Sequence, residues 1–324
     1  MKDRSNFSSR IEHGLIPAVP VPFRLDGPVD EAAQERYVAY MAAQPIAGVA
    51  VWAHTGRGLR LSGEQRNAVL RSWRSGLGPD KVIVAGVGVP PGSSTDPGAY
   101  IDSAVAIAES ALGGRADALL VHPPSLFGGK NSNEDIIFKY HERLASLRAP
   151  LIVFYLYEAA GGISYSVDLL RRIMSLPEVA GIKLATLDSV MTYQTVAKLL
   201  NGEFPGKTLI TGEDRFLGYS LMCGAKAALI GMGSACTQLQ ADLLRSYFAG
   251  KGEEFLQLSE RVDRLSQVLF IPPMEGYIRR MLWTLVHLGV LSIESAHDPW
   301  GPDLPQAEFL NIGKTLRGLG EIED

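Results

Sequence analysis

In the stretch Pro177–Ser189, PEVAGIKLATLDS, an apolar run ends on Lys183, and Gly181 stands two residues earlier. On a strand, those two residues share a face. An ammonium placed there is held away from water. Desolvation disfavours its charged form, so its pKa falls and a neutral amine becomes available. Such an amine attacks a ketone and forms a Schiff base. The resulting iminium draws electrons from the neighbouring carbon, which permits aldol bond making or breaking, or loss of a β-hydroxyl. The glycine is expected to leave room inside the fold. The competing reading is a rim lysine that snorkels to water or pairs with a carboxylate such as Asp188.

Two more groups suit that chemistry. Tyr155 closes the apolar run LIVFY, the one before the lysine run. On a neighbouring strand, about 4.8 Å away, its phenol can shuttle protons; taken alone, it reads equally as aromatic packing. After GVAVW comes AHTGRG, Ala53–Gly58. The Thr55 hydroxyl and the backbone N–H groups of a Thr55–Gly56 turn suit a carboxylate, and a plain glycine turn is the alternative. Arg57 is placed either to hold an anionic substrate bidentately or to sit solvated at the rim. His54 reads as an added acid or base or as a structural hydrogen-bonding residue.

The elements that must position these residues follow a regular alternation. Eight apolar runs are visible: Leu15–Val21, Gly48–Trp52, Val82–Val87, Ala118–His122, Leu151–Tyr155, Val179–Lys183, Thr208–Thr211 and Ala227–Gly231. They are continuous rather than alternating, as parallel strands covered on both faces are. Amphipathic segments lie between them. Ser62 and Gln65 have capping-box spacing, so a helix should begin there; AYIDSAVAIAESALG ends at Gly113–Gly114, a C-cap signal. Eight such units point to an α/β fold, a (β/α)8 TIM barrel over residues 10–240, with a doubly wound open sheet as the competitor. Residues 241–324 read as a C-terminal helical extension, broken at Pro272–Pro273. In a barrel the chemistry sits where strands end, which is where Lys183, Tyr155 and the 53–58 loop fall.

Composition narrows the function classes. The 324 residues are 46% hydrophobic and 20% charged, with net charge −4 and no Lys/Arg-rich block, so a nucleic-acid partner is not expected. No apolar run of about 18 residues occurs, so no membrane span is expected. The N-terminus lacks a signal-peptide core, and Cys223 and Cys236 read as free thiols; together these suggest a cytoplasmic protein. There is no HExxH and no Cys/His cluster, so a metal site is not expected. AGVGVPPG runs into prolines rather than a helix start, and GMGSAC lacks the G-x-S-x-G pattern of a hydrolase elbow.

Five segments in order carry a resemblance to a known family: GLIPAVPVPFRLDGPVD, AHTGRGLRLSGEQR, FYLYEAAGG, AGIKLATLD and TGEDRFLGYSLMCGAKAALIG. Over roughly residues 12–240 they resemble the dihydrodipicolinate synthase / N-acetylneuraminate lyase family of class I aldolases. The resemblance implies a (β/α)8 barrel with C-terminal helices, a homo-oligomer (tetramer or dimer), and Schiff-base chemistry on pyruvate or another 2-oxo acid without metal or organic cofactor. It implies that Lys183 is the Schiff-base lysine, Tyr155 the proton-relay tyrosine, and Thr55 the threonine that holds the carboxylate and joins the relay. Gly56, His54, Arg57, Ser125 and Leu229 are the accompanying substrate-binding positions.

The departures from the family pattern are specific. His54 replaces the first threonine of the loop, and Arg57 replaces its glutamate. The arginine with which the synthase holds its dicarboxylic partner aligns with Ala160, a loss of on the order of 2–4 kcal/mol of binding for such a substrate; true dihydrodipicolinate synthase activity is therefore not expected. Ser125 stands near a relay tyrosine supplied in the family by a neighbouring subunit, and Tyr157 and His122 are the candidates to replace it. Tyr157 and Phe127 suit a more apolar pocket. The functional expectation is an aldolase or dehydratase on a 2-oxo acid. A non-catalytic barrel that binds a 2-oxo or sugar acid is the second reading, and a phosphate-binding isomerase the third.

Overall fold

Seven of the apolar runs form parallel strands that pair in chain order: β1 Gly48–Val51, β2 Val82–Val87, β3 Ala118–Val121, β4 Leu151–Leu156, β5 Val179–Ala185, β6 Thr208–Thr211 and β7 Ala227–Ala228. The structure is a computed structural model that describes residues 4–129, 132–187 and 189–323; Asp188 lies outside them. A doubly wound sheet reverses its strand order at a switch point. This order never reverses, so the open-sheet alternative falls. All strand residues are buried, as continuous apolar runs covered on both faces require.

The first run behaves differently from the other seven. Residues 15–21 make single parallel bridges, Leu15 to Ala228 of β7 and Ala18 to Ala50 of β1, rather than the expected strand. Pro17 and Pro20 have no N–H to donate, so a continuous ladder is not available. The remaining groups still reach both edges of the sheet: the Ile16 N–H donates to Ala228 and the Val19 N–H to Ala50.

Alternation along the strands sorts the core into two layers. Val84, Leu120, Ile152, Phe154 and Ile210 join an inner cluster, which Phe7 and Ile11 of helix Arg4–Ile11 also enter. Val121, Val153, Tyr155, Ile182 and Leu184 join the outer cluster beneath the helices. A helix follows each run, from Glu31–Ala42 to Thr237–Phe248. Helix Gly63–Gly76 begins with the full capping box, Ser62 Oγ accepting from the Gln65 N–H and Gln65 Oε1 from the Ser62 N–H. Helix Pro97–Gly113 stops at Gly114, as its glycines foretell.

The expected domain boundary at 240 falls inside helix Thr237–Phe248. Beyond it, among the described residues, run three more α-helices, Gly252–Leu269, Tyr277–His287 and Gln306–Gly318. Arg280 fixes their arrangement. Its guanidinium is fully buried, meets Glu308 through Nε at 2.7 Å, and donates through Nη1 to the Ile271 carbonyl at 2.7 Å. That bond ties down the turn over 270–276, which delivers Glu275 and Tyr277 to the ends of the strands.

Candidate active site

Lys183 stands on β5 opposite Phe154 of β4, and its side chain is buried. The ammonium lies over the Phe154 ring, 4.2 Å from the centroid. Burial pushes its pKa down to about 8, against the opposing pull of Asp214 first and Glu213 second. The room for the side chain comes from Gly212: a Cβ there would stand 2.7 Å from Lys183 Cε. Gly181, expected to supply that room, serves another need. A Cβ on it would meet the Thr208 carbonyl oxygen at 2.1 Å, so it permits the close approach of β5 to β6.

Two acids, Glu213 and Asp214, stand one residue past the end of β6, after Gly212. The Glu213 carboxylate accepts from the Thr186 N–H, the Thr186 hydroxyl and the Leu187 N–H, and so holds the chain that leaves the lysine strand. Burial raises its pKa to about 7, although these bonds pull it down. Asp214 is only partly covered yet sits deep among neighbouring atoms. It accepts from the Met232 N–H at 2.6 Å, and burial raises its pKa to about 6 while Lys183 lowers it. Neither acid was singled out from the sequence, yet their place just past an apolar run is the signal that could have found them.

Tyr155 is not brought to the lysine. In the register of β4 with β5 it pairs with Leu184, and it packs against Tyr165 with ring centroids 5.4 Å apart. Its hydroxyl meets Ser164 and the Tyr165 backbone. Phe154 takes the inward position instead, because one step along a strand reverses the face. Two other phenols reach the site. Tyr157 lies where it feels Glu275, Asp214, Arg57 and Glu213, and burial raises its pKa. Tyr277, buried, shares a 3.0 Å hydrogen bond with Thr55 Oγ1.

Thr55 is therefore in place, and Gly231 closes in on it: a Cβ on Gly231 would meet Thr55 Oγ1 and Tyr277 Cε2, each at 3.2 Å. Among the described residues, neither the Thr55 nor the Gly56 N–H donates to a protein acceptor, so both donors stand open. Gly56 lies against the Val19 carbonyl oxygen, which a Cβ would meet at 2.8 Å. Leu229 is buried in the inner cluster.

His54 and Arg57 belong to a chain of charges. Arg57 donates through Nε and Nη2 to Asp298, at 3.1 and 2.7 Å, and through Nη1 to Glu275 at 2.6 Å. His54 Nε2–H donates to the other oxygen of Glu275 at 2.9 Å. The Arg57 fork is thus filled by the protein's own carboxylates rather than held open for a substrate. Burial would lower the arginine's pKa, but Asp298 and Glu275 outweigh it and raise the value. Burial would raise that of Glu275, yet His54 and Arg57 pull it down to about 2. Glu275, Tyr277 and Asp298 all come from beyond residue 270, where the sequence shows only helical periodicity.

A cavity of about 840 Å³ opens over the ends of β1 to β4. His54, Arg57, His122, Ser125, Leu156, Ala160, Glu275 and Trp300 line it; Lys183, Thr55, Gly56 and Leu229 do not. Ser125 is exposed at the start of a short turn, Ser125–Phe127, whereas Phe127 packs beneath it against Tyr100. His122 is buried, and its ring stands edge-on to Phe154 at 5.4 Å, so imidazole and ammonium share one aromatic neighbour.

Residues 12–308 match the Dihydrodipicolinate synthetase family. The chain belongs to that family. Among curated relatives, it is 26% identical over 308 residues to the 4-hydroxy-tetrahydrodipicolinate synthase of Hyphomonas neptunium, covering 95% of this chain and 99% of that protein. It is 24% identical over 262 residues to a probable mitochondrial 4-hydroxy-2-oxoglutarate aldolase of Emericella nidulans, covering 77% and 79%. Among solved structures, the family member YagE from E. coli K12, in complex with pyruvate, superposes with a TM-score of 0.80 at 20% identity, over 95% of this chain and 98% of that one. Ruminococcus gnavus sialic acid aldolase gives 0.80 at 16% identity, over 96% and 99%. At these identities the superpositions establish a shared fold. Among the described residues, no group of His, Cys, Asp and Glu is arranged to hold a metal, and no helix is long and apolar enough to cross a membrane.

Proposed function

We propose that this chain is a class I lyase, an aldolase or dehydratase that acts on pyruvate or another 2-oxo acid through a Schiff base on Lys183. The carrying observation is the buried Lys183 amine, its pKa down to about 8, with two acids beside it. The neutral amine attacks the 2-oxo carbon. The carbinolamine loses water to give an iminium, and the iminium takes the electrons of the bond broken at the neighbouring carbon. The open Thr55 and Gly56 N–H groups and the Thr55 hydroxyl suit the substrate carboxylate. Tyr277, bonded to Thr55, and Tyr157 are the phenols for proton transfer, in the role that the sequence pattern gives to Tyr155.

The same reading completes the barrel, with residues 15–21 standing as its eighth element between β7 and β1. It also carries the expectation of a cytoplasmic homo-oligomer that needs no cofactor. Ala160 on the cavity wall offers no guanidinium, which argues against a dicarboxylic second substrate of the synthase type. The test is to incubate the protein with pyruvate and borohydride and weigh its tryptic peptides. The expected product is a reduced adduct on the Lys183 peptide, absent in Lys183→Met. No adduct with pyruvate or with any of several other 2-oxo acids would falsify the proposal.

A further inference from the structure

Two polar crossings join the loop after β1 to the turn before helix Tyr277–His287, and they lie side by side. One is the 3.0 Å bond between Thr55 Oγ1 and the Tyr277 hydroxyl. The other is the Glu275 carboxylate, whose two oxygens take separate donors, His54 Nε2–H at 2.9 Å and Arg57 Nη1 at 2.6 Å. Thr55 stands between those two donors in the chain, and Glu275 stands two residues before Tyr277. Each side is stiff. The Arg57 N–H donates to the His54 carbonyl and the Gly58 N–H to the Ala53 carbonyl, so the loop closes on itself. Arg57 holds φ at 52°, a left-handed value that few non-glycine residues adopt, and Asp298 grips its guanidinium from the other side. Across the gap, the short turn Met274–Gly276 runs straight into the helix that begins with Tyr277. The Gly276 N–H donates to the Pro273 carbonyl, which Arg280 Nη1 also meets. Phe270 stacks on the Tyr277 ring with centroids 4.8 Å apart. Stacking sets the plane of a ring but lets it slide, whereas hydrogen bonds to a charged group are short and directional. The ion pair is therefore the contact that fixes the distance of the phenol from Thr55.

We infer that Glu275 is a positioning residue: clamped by His54 and Arg57, it holds the Tyr277 phenol on Thr55 and so sets the rate of the proton transfers that form the Schiff base. The inference rests on the lyase reading and adds to it a residue that acts through Tyr277 alone. In that step the phenol gives its proton to the carbinolamine hydroxyl, the nitrogen lone pair closes the C=N bond, and water leaves. The phenolate then takes a proton from the carbon next to the iminium, which becomes an enamine. The clamp does not titrate where the amine does. Burial would raise the pKa of Glu275, yet His54 and Arg57 hold it down to about 2. The titratable and charged groups around this carboxylate are His54, Arg57, Tyr157 and Tyr277. The carboxylates that act on the Lys183 ammonium are instead Asp214 and Glu213. Loss of Glu275 should therefore slow the reaction without moving the pH at which its rate bends.

The test is a double-mutant cycle on Glu275 and Tyr277, read as the rate of borohydride trapping on Lys183 at saturating pyruvate. Tyr277→Phe is expected to slow trapping by on the order of a hundredfold, the worth of a placed general acid. Glu275→Ala should slow it by about tenfold, as a misplaced catalytic group does, and the bend near the lysine pKa of about 8 should stay where it is. In the Tyr277→Phe background, Glu275→Ala should cost less than about twofold more, because no phenol is left to place. Glu275→Gln, which keeps an oxygen for Arg57, should recover part of the loss. Should Glu275→Ala fail to fold, Glu275→Gln carries the same cycle, its slowing of about threefold again expected to vanish beside Tyr277→Phe. Four results would each overturn the inference. They are a Glu275→Ala rate within about twofold of the parent; a loss that persists in the Tyr277→Phe background, which would make Glu275 a substrate contact or a merely structural charge; a Tyr277→Phe protein that traps at the parent rate, which would give the role to Tyr157; and a bend that moves. In all four the parent still forms its adduct and the lyase reading stands. If the parent forms no adduct with any 2-oxo acid, both fall.

Discussion

Two opposed effects act on the Lys183 amine. Burial removes the water that stabilises the ammonium, and the carboxylates of Asp214 and Glu213 return part of that stabilisation. The balance, about 8, leaves a minority of neutral amine at pH 7 and half at pH 8. The rate of pyruvate adduct formation should therefore rise with pH, bend near 8 and level off above it. Asp214→Asn removes the largest opposing charge while leaving an oxygen to accept from the Met232 N–H. With that charge gone the ammonium is less favoured, so its pKa must fall further. The bend in the pH profile of borohydride trapping should move to lower pH by roughly one unit, or ~1.4 kcal/mol. A bend that stays in place or moves upward would show that Asp214 does not act on the amine.

At the scale of elements, the site is stitched across the chain. The loop after β1 meets the turn before helix Tyr277–His287 through Thr55 and Tyr277, and meets the 298 region through Arg57 and Asp298. The Arg57–Asp298 pair is nearly dry, with side chains 9% and 1% exposed. Removing one partner from such a pair costs about 3–5 kcal/mol, because a buried charge is stranded. Asp298→Ala should lower the denaturant midpoint by a corresponding amount and loosen the 53–58 loop. An unfolding free energy within about 1 kcal/mol of the parent would mean that Glu275 alone holds the guanidinium. This stitching also sets what the sequence could show. Lys183 and Thr55 were legible because each lies near the C-terminal end of an apolar run, Lys183 two residues inside the end of β5 and Thr55 in the loop after β1. Phe154 and Tyr155 were not distinguishable. A strand buried on both faces has no polar alternation to say which side chain turns inward, and a one-residue step exchanges the two. Tyr277, Glu275 and Asp298 were illegible for a different reason: helical periodicity reports which face is buried, not which distant loop that face meets.

Across the whole molecule, buried ionisable groups make stability depend on pH in two directions. Glu213 and Asp214 have raised pKa values, about 7 and about 6, so the folded state holds protons that the unfolded state has lost. Their contribution grows more favourable as pH falls through those values. His122 and His141 work the other way. Burial pushes them down to about 3 and about 4 from an ordinary 6.5, so below 6.5 the unfolded chain takes up protons that the folded one refuses. The two sets oppose each other in mild acid, and the total slope hides both. His141 can be isolated because it lies outside the cavity lining: Nδ1–H donates to the Ile137 carbonyl, Nε2 is buried without a partner, and Tyr140 and Tyr165 surround the ring. His141→Phe keeps an aromatic ring and removes the titration. Measured by urea unfolding at stepped pH, the stability of the variant relative to the parent should improve by about 1.4 kcal/mol for each unit that pH falls from 6.5 toward 4. That reaches on the order of 3 kcal/mol by pH 4, while above pH 7 the difference should be flat. A difference that stays constant down to pH 4 would mean that His141 takes its proton in the folded state as readily as in the unfolded one, and that the outer layer between helix Glu134–Ala145 and β4 admits water.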